Sequence, residues 1–172
     1  MEILKWPHEA LEQVAEPIRA VDDEVRAMAE EMLNAMAAAR GVGLAGPQVG
    51  YLKRLIVLNL TPGSPDGERV YVNPEILSRE GESFESEGCL SIPGVNGKVL
   101  RATRVVVRAV TLDSATVTVE ADGLLARAFQ HEIDHLEGIL ITRHFNAVDR
   151  TANARALREL EKAGRARAGS RR

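Results

Sequence analysis

Cysteine is nearly absent. Cys89 stands alone in 172 residues, so an internal disulfide is excluded and a reducing compartment is indicated. Aromatics are scarce as well. Six of them leave a core that must be built mostly from Val, Leu, Ile and Ala. No apolar run approaches the roughly 20 residues of a membrane span. The opening MEILKWPHEALEQ is too charged for a signal peptide. The expectation is a cytoplasmic protein with no membrane partner. No internal repeat and no second domain is visible. The glycine-rich stretch GVGLAGPQVG (residues 41–50) lacks the Lys and Ser/Thr of a phosphate-binding P-loop, since Tyr51 and Leu52 follow Gly50.

What is present is ordinary for a globular chain. A hydrophobic fraction of 45% and a charged fraction of 27% argue against extensive disorder, and the length fits one core. The net charge of -3 is uneven. Residues 149–172 hold eight Lys or Arg against three Asp or Glu, a local +5 on a body of -8. The expected organisation is one domain over residues 1–148, then a basic helix and disordered tail over 149–172. A basic tail on an acidic body can contact RNA or another polyanion. A solvated helix that frays is the plainer reading.

Periodicity places the elements. Val25, Met28, Met32, Leu33 and Met36 share one face of a helix over residues 22–40, capped by Asp22 or Asp23 and ended by Gly41. A short helix fits within residues 7–15. The glycines make residues 41–50 an irregular loop, with Gln48 its one polar side chain. Residues 54–60 read as a buried strand, 61–67 as a turn, and 70–72 as a short strand ended by Asn73-Pro74. Residues 76–86 read as a broken strand. Residues 99–112 and 115–121 form an antiparallel pair turning near Asp113-Ser114. Gly123 opens a helix over 124–136 that stops at Gly138. Residues 139–141 are a short strand or a continuation. Residues 151–163 form a last helix whose stripe of Ala154, Leu157 and Leu160 implies weak docking. GRARAGSRR (164–172) is expected to be disordered.

The chemistry concentrates in QHEIDHLEG (residues 130–138). His131 and His135 lie one helical turn apart on the same face, about 6 Å along the axis, and can share one metal ion. Glu132 points about 100° away around the helix. It is placed as a base toward a water at the ion rather than as a ligand. A third ligand is needed. Ile141 occupies the position where extended-motif zinc proteases carry a histidine. Glu159 and Glu161 lie in a highly charged helix, His144 in a surface segment, and His8 near the N-terminal arm. Cys89 in EGCLS is the better candidate. A thiolate with two imidazoles leaves a coordination position open, and the set suits Zn²⁺, Fe²⁺, Co²⁺ and Ni²⁺.

GVGLAGPQVG, EGCLS and QHEIDHLEG, in this order and spacing, resemble the three signature motifs of peptide deformylases. NPEIL (73–77), the opening ILKWP and the length also resemble that family. The likeness covers roughly residues 3–145. It implies an α+β fold: antiparallel β-sheets packed around a central HExxH helix, with an N-terminal and a C-terminal helix. It implies Cys89, His131 and His135 as ligands of one divalent metal ion, Fe²⁺ foremost, with Zn²⁺, Ni²⁺ or Co²⁺ able to replace it. Glu132 would move the proton, and the Gln48 side chain and Leu90 backbone N–H would hold the oxyanion. Val42, Gly88, Leu124, Arg127 and Ala128 would form the methionine pocket, with Arg127 contributing its aliphatic stem and keeping its charge outside. Gly43 and Gly88 would let the substrate backbone approach as an added strand. The substrate implied is the N-formylmethionyl end of a nascent peptide, with formate released. The basic C-terminal segment would dock on the ribosome, without sequence-specific nucleic-acid contacts. The family usually has alanine where this chain has Gly46, which implies a looser loop around Gln48, and often an arginine or another substrate-contacting residue near Asn96. A metalloprotease cutting internal bonds, or a metal-binding relic that binds a partner, are the alternatives.

Overall fold

The computed structural model describes residues 1–61 and 64–169, with side chains as far as residue 166. Helix α1 spans Asp23–Ala38. Asp22 caps it, accepting from the Val25 N–H at 3.0 Å. Val25, Ala29, Met32 and Met36 form its buried face. Gly41 is not the terminator. Arg40 takes the left-handed conformation (φ 54°), and Gly41 donates its N–H to the Met36 carbonyl. The short helix near the N-terminus is a 3-10 turn, Glu9–Glu12, capped by His8 Nδ1.

Residues 41–50 are more regular than their glycines imply. Strand β1 occupies Gly43–Ala45, and a 3-10 turn follows at Gly46–Val49. Six more strands are β2 (Leu55–Asn59), β3 (Glu68–Glu80), β4 (Ser83–Gly88), β5 (Asn96–Arg101), β6 (Arg104–Val110) and β7 (Thr116–Asp122). Of these seven described strands, five make an antiparallel sheet in the order β1-β2-β3-β6-β7, while β4 and β5 pair separately. In the turn expected over 61–67, residues 65–67 form a 3-10 turn, and Pro62 and Gly63 lie outside the described residues.

Several expected breaks fall elsewhere. Asn73-Pro74 does not end a strand. β3 continues through it, with Asn73 at φ 50° and the ladder to β6 shifted between Val72 and Glu75. Asparagine tolerates this conformation, and its side chain both accepts from Ile18 N and donates to Ile18 O at 2.8 Å. The single strand expected over 99–112 is two strands. β5 pairs with β4, whereas β6 lies between β3 and β7, so the chain changes sheet at Ala102-Thr103. Residues 141–143 form a 3-10 turn rather than a strand. The hairpin turn near Ser114 (φ 63°) is where it was expected.

β2 explains why its sequence is a continuous apolar run. Leu55 and Val57 face α1, with Met32, Met36 and Leu44 around them. Ile56 and Leu58 face the opposite side, where helix α2 (Gly123–Leu136) packs Ala126, Phe129, Ile133 and Leu136 against Tyr71, Val105 and Val107. Phe129 is fully buried, with its ring 4.9 Å from that of Tyr71. That burial contributes about 1.5–3 kcal/mol. A third cluster of Leu11, Ile92, Val95, Val99, Leu140, Ile141 and Phe145 seats the β4-β5 pair against the C-terminal segment.

Helix α3 spans Ala147–Gly169, longer than expected at both ends. Residues 164–169 of the supposed disordered tail are helical, and residues 170–172 lie outside the described residues. Docking rests on more than the thin apolar stripe. Buried Asn153 accepts from Asn96 N (3.2 Å) and donates to Asn96 O (2.7 Å), and Asp149 accepts from Lys98 N (3.2 Å). Side chains of α3 thus satisfy the edge of β5 as a further strand would. Among the described residues, no helix is long and apolar enough to cross a membrane.

Candidate active site

α2 carries HEIDH beneath one end of the β4-β5 pair. Cys89, just after β4, puts Sγ 3.3 Å from His135 Nε2. The ligand atoms of Cys89, His131 and His135 all lie within 4.8 Å of one another. His131 Nδ1 is 3.0 Å from Glu87 Oε2, which leaves Nε2 as its donor atom. One thiolate and two imidazoles at this separation fit a single divalent cation. Glu132 is buried beside them, and its Oε2 has no hydrogen-bond partner among the described residues. Glu159 and Glu161 are far from this role, paired with Arg155 and Arg165 along α3. His144 bonds Asp134 instead.

The charges favour a thiolate. Burial opposes ionisation of Cys89, but His135 and His131 outweigh it and hold the thiol well below its usual pKa. Burial likewise opposes charge on His131, yet Cys89 and Glu87 raise it well above the ordinary value. Protons and a cation therefore compete for that ring. Burial raises Glu132, with His131 and His135 pulling the other way.

Gln48 comes from the 3-10 turn after β1 and is buried. Its Oε1 accepts from Ala45 N at 2.8 Å, which fixes the amide so that Nε2 faces Ser91 Oγ (3.2 Å) and Cys89 Sγ (3.6 Å). The N-terminal arm straps this arrangement. Leu4 N donates to Gln48 O and Trp6 N to Ser91 O. Gly46 packs directly against its own loop. It is buried, and a Cβ there would stand 2.6 Å from Lys53 O, so the backbone of residues 51–53 has closed onto the glycine.

A family model described as polypeptide deformylase matches residues 1–151. A relative named peptide deformylase from Acidobacterium capsulatum is 45% identical over 163 residues, covering 94% of this chain and 96% of the relative. The chain belongs to the peptide deformylase family. Another peptide deformylase, from Alkalilimnicola ehrlichii, is 41% identical and covers 98% of this chain and 95% of its own. The solved structure of a Legionella pneumophila peptide deformylase is similar with a TM-score of 0.86 at 38% identity, over 97% of this chain and 96% of that one. A Plasmodium falciparum peptide deformylase superposes with a TM-score of 0.93 at 32% identity, covering 96% and 98%. The chain is therefore an enzyme of the deformylase class, which removes an N-formyl group by hydrolysis.

A cleft of about 420 Å³ opens beside the cluster. Val42, Gly43, Gln48, Gly88, Cys89, Leu90, Leu124, Arg127, Ala128, His131 and Glu132 line it, while His135 lies behind, 1% exposed. One expectation for this deformylase cleft changes. Arg127 does not keep its charge outside. It is buried, and its guanidinium donates to Glu87 Oε1 (2.7 Å), Val99 O (3.1 Å), Ser83 O (3.2 Å) and Ser83 Oγ (2.6 Å). A buried carboxylate and three neutral acceptors replace the water the charge would otherwise need. Gly43 and Gly88 have reasons inside the chain itself. A Cβ on Gly43 would clash with Glu132 Oε1 and lie 2.9 Å from its Cδ, and one on Gly88 would lie 2.6 Å from Asn96 Oδ1.

Sequence reasoning missed Glu87, Arg101, Asp134 and Ser91. Arg101 donates to Glu87 through Nε (2.9 Å) and Nη2 (3.0 Å), and to Asp134 through Nη1 (2.5 Å). Glu87 is buried, but His131 and Arg101 hold its carboxyl well below the usual range. A signal for Arg101 existed. Gly97, Val99 and Arg101 alternate inward along β5, so the arginine falls at a core position.

Proposed function

We propose that this chain removes the formyl group from N-formylmethionine at the start of nascent polypeptides, releasing formate. The observation that carries this reading is the meeting of Cys89, His131 and His135 with Glu132 and the Gln48 amide at one end of a single cleft. Cys89, His131 and His135 would hold the metal, Fe²⁺ by the family likeness, with Zn²⁺, Ni²⁺ or Co²⁺ as substitutes. When bound, a divalent cation polarises a carbonyl and makes water a better nucleophile at neutral pH.

The chain's own groups do the rest. Glu132 takes the proton of the attacking water and delivers it to the leaving amine as the formyl C–N bond breaks. Gln48 Nε2 and the Leu90 N–H face the carbonyl oxygen as it gains charge, each contributing about 3 kcal/mol in the transition state. Val42, Leu124 and Ala128 offer the methionine side chain an apolar wall, and Val42 and Leu124 are 37% and 56% exposed at its rim. Gly43 and Gly88 flank the path of the peptide backbone. Residues 1–148 form the catalytic unit. The nascent chain as substrate places the enzyme in the cytoplasm.

Protein purified anaerobically should carry about one metal ion per chain by this reading and release formate from a formyl-Met peptide. A chelator should abolish the activity, and Fe²⁺, Co²⁺ or Ni²⁺ should restore it. Casein should stay intact, which separates the reading from an endoprotease. No formate with any of these metals loaded would overturn it.

Gly43→Ala should lower kcat about 100-fold, because the methyl group displaces the Glu132 carboxylate and not the fold. A variant within threefold of the parent would show that Glu132 has freedom the geometry denies it.

The basic segment over residues 151–172 is proposed to dock on the ribosome. Binding in co-sedimentation should weaken steeply with salt and fall when residues 165–172 are deleted. Salt-sensitive binding that survives the deletion would refute the assignment.

A further inference from the structure

Arg127 touches two things at once. On one side it lines the cleft, next to Leu124 and Ala128. On the other it grips the carboxylate that holds a metal-ligand ring. Glu87 takes four hydrogen bonds. Oε1 accepts from Arg127 Nη1 (2.7 Å) and Arg101 Nε (2.9 Å), and Oε2 lies 3.0 Å from both Arg101 Nη2 and His131 Nδ1. The two arginines differ in their other commitments. Arg101 has a second carboxylate, Asp134, and does not line the cleft. Among the described residues, Glu87 is the one carboxylate within hydrogen-bond distance of Arg127, and exposed Glu85 stands farther off at 3.9 Å. Its remaining bonds, to Ser83 and Val99, tie it to β4 and β5.

We propose that Arg127 is a positioning residue that couples the side-chain end of the cleft to the His131 ring through Glu87. Two hydrogen bonds separate its guanidinium from that ring. A substrate side chain that packs on Arg127 presses on the group fixing the Glu87 carboxylate, and Glu87 sets both the tautomer and the tilt of His131. The inference deepens the proposed reaction and rests on His131 being a ligand. It does not need the reaction to be deformylation.

The test compares Arg127→Met, which keeps the stem and loses the donors, with Arg127→Lys, which keeps the charge but loses the fork. Each protein is loaded with Co²⁺, and release of the ion to a chelator is timed. The Met variant should release it about tenfold faster than the parent, and the Lys variant by an intermediate factor. In Glu87→Gln, whose carboxylate is gone, adding Arg127→Met should change the rate by less than twofold. A residue that merely props the hairpin would lower the unfolding midpoint and act independently of Glu87. In formate release, Arg127→Met should lose kcat as well as raise KM. Should the Met variant not fold, the Lys variant alone decides. A rate within twofold of the parent in a folded Arg127 variant, or independent effects in the double variant, overturns the proposal. Failure of formate release with the metal-release pattern intact would count against the reaction and not against this coupling.

Discussion

Glu132→Gln should release formate about a thousandfold more slowly than the parent, while still folding and still holding its metal. Glutamine has nearly the same shape, so the contact with Gly43 survives and no cavity is made. What is lost is the ability to accept a proton. Glu132 Oε2 has no partner among the described residues, so the carboxylate is not part of the structural network built on Glu87. It is also not one of the three clustered ligands. Burial pushes its pKa above the ordinary carboxylate value, and His131 and His135 pull it back. The base works deprotonated, so activity rises with pH through that pKa, and the acid limb of the profile belongs to this residue. A bound cation moves the limb to lower pH. Metal content, thermal midpoint and kcat measured on one preparation check the three parts together. A glutamine variant with more than a tenth of parent activity would remove Glu132 from the role of base.

Much of this site was legible because its residues come in short local patterns. HEIDH sits on a helix, and a helix converts spacing into geometry without help from the rest of the fold. Cys89 was legible as the candidate that completes the two-histidine set, and Gln48 only through motif likeness. Nothing local says that a residue after β4 and one after β1 meet above α2. Gln48 alone reads as a structural amide, and in part it is one, anchored on Ala45 N. The Arg127 expectation failed because burial of a charge is decided by a partner 40 residues away. Glu87 was read as part of a motif and given no task, since a glutamate in a strand is ordinarily a surface residue.

The fold shows the same division. α1 follows from apolar periodicity, β2 from a continuous apolar run and α2 from the HExxH motif after Gly123, and their bounds shift by only a residue or two. The misplaced breaks all turn on pairing. Whether Asn73-Pro74 ends a strand depends on Ile18 being there to occupy the Asn73 side chain. Whether residues 99–112 are one strand depends on β4 competing with β3 for partners. α3 was underestimated because Asn153 and Asp149 dock it by completing a strand edge, which a hydrophobic pattern does not register.

Glu87→Ala should cost about 3–5 kcal/mol of stability at neutral pH, measured by urea unfolding of the metal-free protein. The residue neutralises two buried arginines. Without it Arg101 keeps Asp134, but Arg127 is left, among the described residues, with neutral hydrogen-bond acceptors and the exposed Glu85 carboxylate at 3.9 Å. The same change frees the His131 ring and should speed metal loss about 10–100-fold. The pH dependence separates this network from simple packing. Burial works against the charged forms of Glu87 and Asp134. His131 and Arg101 nevertheless hold Glu87 low, and His144 and Arg101 do the same for Asp134. A carboxyl depressed in the folded state contributes stability that is fully present above its unfolded pKa, near 4, and is lost as pH falls through the folded value. The parent should therefore weaken steeply below about pH 4. Glu87→Ala, already without one of the buried depressed carboxyls, should lose less over the same interval, so the two curves converge in acid. Parallel curves would mean that Glu87 stabilises the fold by shape and not by charge.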